Sequence, residues 1–224
     1  MPPKYDLSVS STGTTGVSIT GDAPGTTDYV ARFFSGTVVN LTAPATVVTE
    51  SLHYNFVRWA VDGEDRPLGQ LGVQVTMTTG NTAVAAYQMR KYTLSVQSTP
   101  PGVSITGTAP GTAPYSADMD DQTTASLTAP GTMAIGQSDY VFLRWKVDGA
   151  DRPLGQTIIM IIMDAAHTAS AVYEPAKRTL TVQSTPVAGV NVSGDKPGTT
   201  NYTATCDDNQ TISLVAVAST TSGA

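Results

Sequence analysis

The chain has 224 residues, a net charge of −6, only 13% charged residues, a single cysteine and two histidines. The acidic balance excludes the basic face that nucleic-acid phosphates require, and no apolar run approaches the ~18 residues of a membrane-spanning helix, so neither nucleic-acid binding nor membrane insertion is expected. One thiol excludes an intrachain disulfide, and one thiol with two imidazoles excludes a Cys/His zinc cluster.

Threonine is very abundant and valine and serine are common, punctuated by 20 Gly and 14 Pro. Thr and Val are stiff at χ1 and suit a pleated surface, whereas Gly and Pro mark turns. Short alternating runs occur throughout and no helical periodicity is sustained, so the expected fold class is all-β. The opening Met1-Pro2-Pro3-Lys4 has no apolar signal core. The chain therefore reads as a mature form, a piece of a longer protein or a cytosolic chain; the repeat pattern below favours the piece.

In chain order, a first strand carries Leu7 and Val9 on one face, and a second carries Val17 and Ile19. After the Pro24-Gly25 turn come strands near Tyr29–Phe33 and Val39–Ala43. The next strand has Val57, Trp59 and Val61 on one side and Phe56, Arg58 and Ala60 on the other. An Asp62-Gly63 turn and a longer loop lead to two last strands, read as a hairpin around Thr79-Gly80-Asn81, the second showing Ala83, Ala85 and Tyr87 on one face.

The whole series then recurs. YNFVRWAVDGEDRPLGQ at 54–70 and YVFLRWKVDGADRPLGQ at 140–156 are identical at 13 of 17 positions, at an offset of 86. A third copy starts at Lys177, where TLTVQSTP matches TLSVQSTP at 93–100, and it stops before any Trp segment. The expected domains are 4–90, 91–176 and a truncated third repeat, 177–224. The joins are so short that neighbouring copies should touch. About seven strands per copy are best covered as a small two-sheet, Ig-like β-sandwich. Its core should centre on Trp59 and Tyr87 in the first copy and Trp145 and Tyr173 in the second. The third copy would be frayed, packed on its neighbour, or completed by another chain through strand addition.

The order TLSV strand, GVSITG strand, LTAP strand, F-x-R-W-x-V-D-G, then T-A-x-A-x-Y resembles the divergent InlB B-repeat type of bacterial repeat domain. The likeness covers both full copies and half of the third, with Arg58 and Arg144 standing where that family usually has Gly. It implies tandem extracellular or cell-surface modules, acting as stalk, spacer or adhesive unit without catalysis, and it admits a β-grasp-like topology beside the sandwich.

Little chemistry is legible. His53 aligns with Asp139 and His167 with Asn81, so neither imidazole recurs, and both read as solvated loop residues rather than bases. Cys206 aligns with Phe33 and Met119 and reads as a buried small hydrophobe. Asp62 with Asp65, and Asp148 with Asp151, are weighed as Ca²⁺ ligands, but they lack the spacing of a calcium loop and sit in ordinary Asp-Gly turns. No enzyme and no cofactor are expected.

One asymmetry stands out. Where the first copy alternates Leu71, Val73, Val75, Met77 with Gly72, Gln74, Thr76, the second reads TIIMIIM at 157–163. Ile158, Met160 and Ile162 thus fall on a face that is polar in the sister copy, and they form the candidate interface. Its partner would be a neighbouring repeat or another copy of the chain. Two alternatives to the structural module are carried: a carbohydrate- or surface-binding module contacting a cell-surface glycan through Tyr5, Tyr29, Tyr92 or Tyr115, and a self-assembling filament subunit.

Overall fold

Alternation of apolar and polar side chains produces strands throughout the computed structural model, which describes residues 1–217. The first repeat holds ten: β1 Lys4–Thr12, β2 Ser18–Gly21, β3 Gly25–Thr26, β4 Tyr29–Phe34, β5 Val38–Thr42, β6 Thr46–Thr49, β7 Leu52–Val61, β8 Glu64–Asp65, β9 Gly72–Thr76 and β10 Asn81–Met89. They form two sheets, one ordered β4-β1-β10-β7-β6 with β8 beside β7, the other β3-β2-β5-β9. All pairings are antiparallel except that of β1 with β10. The expected count of seven is exceeded by the two-residue pieces β3 and β8 at turns and by β6, which pairs with β7.

Both sheets contribute to one core. Leu7 and Val9 of β1, Ile19 of β2, Val39 and Leu41 of β5, and Val73 and Val75 of β9 are buried together with Trp59 of β7 and Ala83, Ala85 and Tyr87 of β10. This is a β-sandwich. No helix occurs among the described residues, so no helix covers a sheet as it would in a β-grasp.

The strand set recurs as β11 Lys91–Thr99, β12 Ser104–Gly107, β13 Gly111–Thr112, β14 Tyr115–Asp120, β15 Thr124–Thr128, β16 Thr132–Ile135, β17 Ser138–Val147, β18 Ala150–Asp151, β19 Ile158–Ile162 and β20 His167–Pro175. The sheet orders repeat as well: β14-β11-β20-β17-β16 and β13-β12-β15-β19. A third, partial set follows: β21 Lys177–Val182, β22 Asn191–Gly194, β23 Gly198–Thr199, β24 Tyr202–Asp207 and β25 Leu214–Ala216. By density of contact the chain divides into two compact units. The first is Met1–Leu94 with Asp118–Thr124 and Ile162–Ala166; the second is Ser95–Ala117, Ala125–Ile161 and the residues from His167 on.

Two expectations about local pairing are corrected. Residues 79–81 do not close a hairpin: β9 pairs with β5, whereas β10 pairs with β7 and β1. Met77, fully buried, exchanges main-chain hydrogen bonds with Thr37 and Gly36, which keeps the chain in the β5 sheet until it crosses to the other layer. The parity of the Trp strand also changes. Tyr87 faces Phe56 while Ala86 faces Arg58, so Val57 is an extra, bulged residue. Phe56, placed by strict alternation on the face opposite Trp59, packs edge-on against Trp59 (6.2 Å between ring centres) and Tyr87 (5.4 Å). The second repeat has the same bulge and the same triad of Phe142, Trp145 and Tyr173.

The aromatic polar atoms are satisfied inside this core. Trp59 Nε1–H donates to the Leu71 carbonyl at 2.8 Å and Trp145 Nε1–H to that of Thr157 at 2.9 Å. The Tyr87 and Tyr173 hydroxyls donate to the Pro44 and Pro130 carbonyls at 2.7 and 2.8 Å. Burial pushes both phenols up to about 12.

Candidate assembly surfaces

The β19 strand keeps the inward face of β9 and replaces its outward one. Ile159, Ile161 and Met163 are buried, as are Val73, Val75 and Met77. Outward, Ile158, Met160 and Ile162 are 49%, 75% and 56% exposed, where the first repeat has Gly72, Gln74 and Thr76. Gln74 there donates from its amide to Asn40 Oδ1 at 3.2 Å, a polar pairing that an Ile/Met row cannot make. β19 is also the last strand of its sheet. An edge strand with an apolar outer row is a template for further pairing.

A second surface was missed in the sequence because its key residue has no counterpart in the first repeat. Within the first unit, the His53 main-chain N–H donates to Asp121 Oδ2 at 2.7 Å, and His53 Nδ1 lies 2.7 Å from the same oxygen. Arg90 N–H donates to the His53 carbonyl, and Asp121 N–H to the Arg90 carbonyl. The Asp121 side chain is fully buried. Burial pushes its carboxyl upward, but the main-chain and ring contacts of His53 outweigh that and hold it below the ordinary value of 3.8. His53 is therefore a joint residue, which corrects its reading as a solvated loop histidine.

The second unit repeats this joint with different side chains. Asp139 N–H donates to Asp208 Oδ2 at 2.6 Å, Ala176 N–H to the Asp139 carbonyl and Asp208 N–H to the Ala176 carbonyl. Asp139 stands where the first joint has His53, and Arg178 binds both Asp139 and Asp208. The Asp139 N–H and then Arg178 draw the Asp208 carboxyl below its usual range. The signal that would have located the joints is the pair Asp120-Asp121 and its echo Asp207-Asp208, which align with Phe34-Ser35 in the first repeat.

The paired turn carboxylates are engaged by the chain's own donors. Asp62 accepts Thr82 N–H and Asn81 Nδ2–H, each at 2.7 Å. Asp148 accepts Thr168 N–H at 2.8 Å and lies 2.7 Å from His167 Nδ1. His167 thus takes over the clamping position of Asn81, a structural role rather than that of a solvated loop residue. Asp62 and Asp148 have φ of 52° and 51°, followed by Gly63 and Gly149 at 82° and 80°, the geometry of a tight Asp-Gly hairpin turn. Asp65 pairs with Arg58, and Asp151 with Arg144 and Lys146. Among the described residues no three His, Cys, Asp or Glu side chains converge as metal ligands.

Of the tyrosines weighed as a glycan platform, two serve turns. Tyr29 and Tyr115 donate to the Ala23 and Ala109 carbonyls, and their rings lie over Gly25 and Gly111, where a Cβ would come within 3.0 and 2.9 Å of ring atoms. Tyr5 packs half-buried against the core, and the Tyr92 hydroxyl lies 3.4 Å from Arg90 Nη1. Cys206 is buried on β24. Leu68 and Leu154, at the tips of the two identical DRPLGQ loops, are strongly exposed and were not singled out in the sequence. No helix among the described residues is long and apolar enough to cross a membrane. No family model, curated protein or solved structure matches the chain.

Proposed function

We propose that the chain is a non-enzymatic structural repeat module of an extracellular or cell-surface protein, working as a stalk, spacer or assembly unit. The observation that carries this reading is the recurrent joint: a carboxylate on one repeat caps a main-chain N–H at residue 53 or 139 of the preceding one, framed by the same two main-chain hydrogen bonds. A load-bearing array needs such joints between modules that each have their own core. The side chains with catalytic potential serve this architecture: both imidazoles contact a turn or joint carboxylate. The location outside the cell rests on the resemblance to InlB B-repeats and is tested by protease accessibility on intact cells of the source. The mechanical role is tested by single-molecule stretching. Discrete unfolding events for the two Trp-centred repeats are expected, and one undivided event would overturn the modular reading.

A second reading, a self-assembling filament subunit, is favoured by the exposed Ile158, Met160 and Ile162 on edge strand β19. Electron microscopy of the purified chain at high concentration separates the two. Filaments lost on Ile158→Thr with Ile162→Thr support self-assembly, and a monomer at all concentrations removes it.

A further inference from the structure

Both complete repeats end one of their sheets on the strand that follows the long loop, β9 in the first and β19 in the second. The first repeat is followed in the chain by a complete one and still has β9 at the end of its sheet, so an end strand at this place belongs to the repeat itself. Main-chain parity tells which groups of β19 face away from the sheet. Ala129 N–H donates to the Thr157 carbonyl at 3.0 Å and Met163 N–H to the Thr123 carbonyl at 2.8 Å, and Thr123 and Ala129 flank β15. Residues 157, 159, 161 and 163 therefore aim their main-chain groups at β15, and Ile158, Met160 and Ile162 aim theirs at the outer edge. On that edge the Gln156 side-chain amide donates to the Ile158 carbonyl at 3.0 Å. The same three residues thus combine an exposed apolar side chain with main-chain donors and acceptors directed away from the sheet.

The row specifies its own partner. Read in either direction, residues 158–162 are Ile-Ile-Met-Ile-Ile, with no charge among them. An antiparallel pair centred on Met160 sets Met160 opposite itself and Ile158 opposite Ile162. It also brings Gln156 toward the other copy's Asp164, so no like charges meet. An isologous contact needs this self-complementarity, and the sister row of Gly72, Gln74 and Thr76 lacks it. The apolar groups stop at the edge strand: Thr124, Ser126 and Thr128 take the outward positions of β15. Burial face-on would cover those polar side chains as well, whereas edge-to-edge pairing joins the apolar rows alone.

We propose that β19 is the pairing edge of a two-fold dimer, in which a second copy of the chain adds its own β19 antiparallel about Met160 and fuses two four-stranded sheets into one. Main-chain hydrogen bonds exchanged between Met160 and Met160 and between Ile158 and Ile162 supply the attachment, and the palindromic side-chain row supplies the register. Five paired residues per copy bury less than the roughly 1,200 Å² of a standard interface, so the dimer should be weak and appear at high concentration. The inference rests on the same exposed row as the self-assembly reading and differs in its outcome. A two-fold pair uses up the β19 edge of both copies and closes, whereas a filament keeps growing.

Sedimentation velocity of the full chain from about 5 μM to about 500 μM should show a reversible monomer–dimer equilibrium with no larger species. Met160→Lys sets like charges against each other on the two-fold axis and should raise the dissociation constant at least about tenfold. Under mild oxidation Met160→Cys should give a disulfide-linked dimer. Ile158→Cys alone should not, but an equimolar mixture of Ile158→Cys and Ile162→Cys should; the parent, whose one thiol at Cys206 is buried, is the control. A monomer at every concentration overturns the proposal and self-assembly with it. Growth beyond the dimer, undiminished pairing of Met160→Lys, or linking of Ile158→Cys alone as efficient as that of Met160→Cys overturns the two-fold pair and leaves the filament reading standing. If Met160→Lys fails to fold, the cysteine pattern decides.

Discussion

The first and second repeats share the aromatic centre of their cores and differ most on their outer surfaces. Trp59 and Trp145 are both fully buried, both donate to the carbonyl twelve residues on, and both sit edge-on to a phenylalanine displaced by the same bulge. Yet Gln74 becomes Met160, and the joint residue His53 becomes Asp139. Interior positions are constrained by packing on all sides, whereas outward positions answer to whatever lies beyond the sandwich. Inside, the changes are few and keep the positions apolar (Val39 to Ala125, Val73 to Ile159, Val75 to Ile161), while outside they change the chemistry, as in a duplicated module whose copies keep one fold and differ in their contacts.

The largest effects should fall on the shared part. Trp59→Ala and Trp145→Ala should each cost about 3–5 kcal/mol in urea unfolding, with the loss confined to the mutated repeat. Unequal losses would break the equivalence of the two cores. Asp121→Ala removes a fully buried carboxylate from the partly buried main-chain N–H of His53 and should cost about 1–3 kcal/mol. Asp208→Ala should cost less because Asp208 is partly exposed. Chemical denaturation of both variants checks the order, and a reversed order would refute the contrast between the joints.

Titration sharpens the comparison next. Asp121 and Asp208 are held below 3.8 in the folded chain, so their stabilisation is present above that value and is lost as pH falls below it through the folded pKa. Thermal unfolding followed from pH 6 to pH 2 should show both joints weakening on the acid side. Tyr87 and Tyr173 are raised to about 12, so the folded chain holds their protons more tightly than the unfolded chain. Stability should fall as pH climbs from 10.0 toward 12, equally in both repeats, as ultraviolet titration of tyrosinate can report. The smallest change in stability is expected for Ile158→Thr with Ile162→Thr. The monomer should stay within about 0.5 kcal/mol of the parent while any association seen by light scattering disappears. A large destabilisation would mean that this row is part of the fold rather than an outer surface.

Much of this was legible in the residues, and the failures have a common cause. The all-β class, the repeat offset and the central indoles follow from alternation and self-similarity, which are local. The outward position of Ile158, Met160 and Ile162 also followed, because a two-residue period in a strand free of bulges leaves no other choice. Phe56 was assigned to the wrong face because one bulged residue, Val57, inverts parity, and alternation has no term for it. The hairpin at residues 79–81 was misread because nothing in an apolar Met77 announces a crossing between layers. His53 looked idle because its partner is 68 residues away and the first repeat carries no acid at the matching position.

Period and composition thus dictate that this chain forms strands, which side of most of them turns inward, and that the pattern occurs twice in full and once in part. Which strand lies beside which is another matter: the parallel pairing of β1 with β10, the pairing of β9 with β5 and the burial of Asp121 against His53 depend on segments far apart in the chain. Such choices come from packing two sheets around a common core and from the demand that buried main-chain groups find partners. Both are properties of the assembled sandwich and of no single stretch within it.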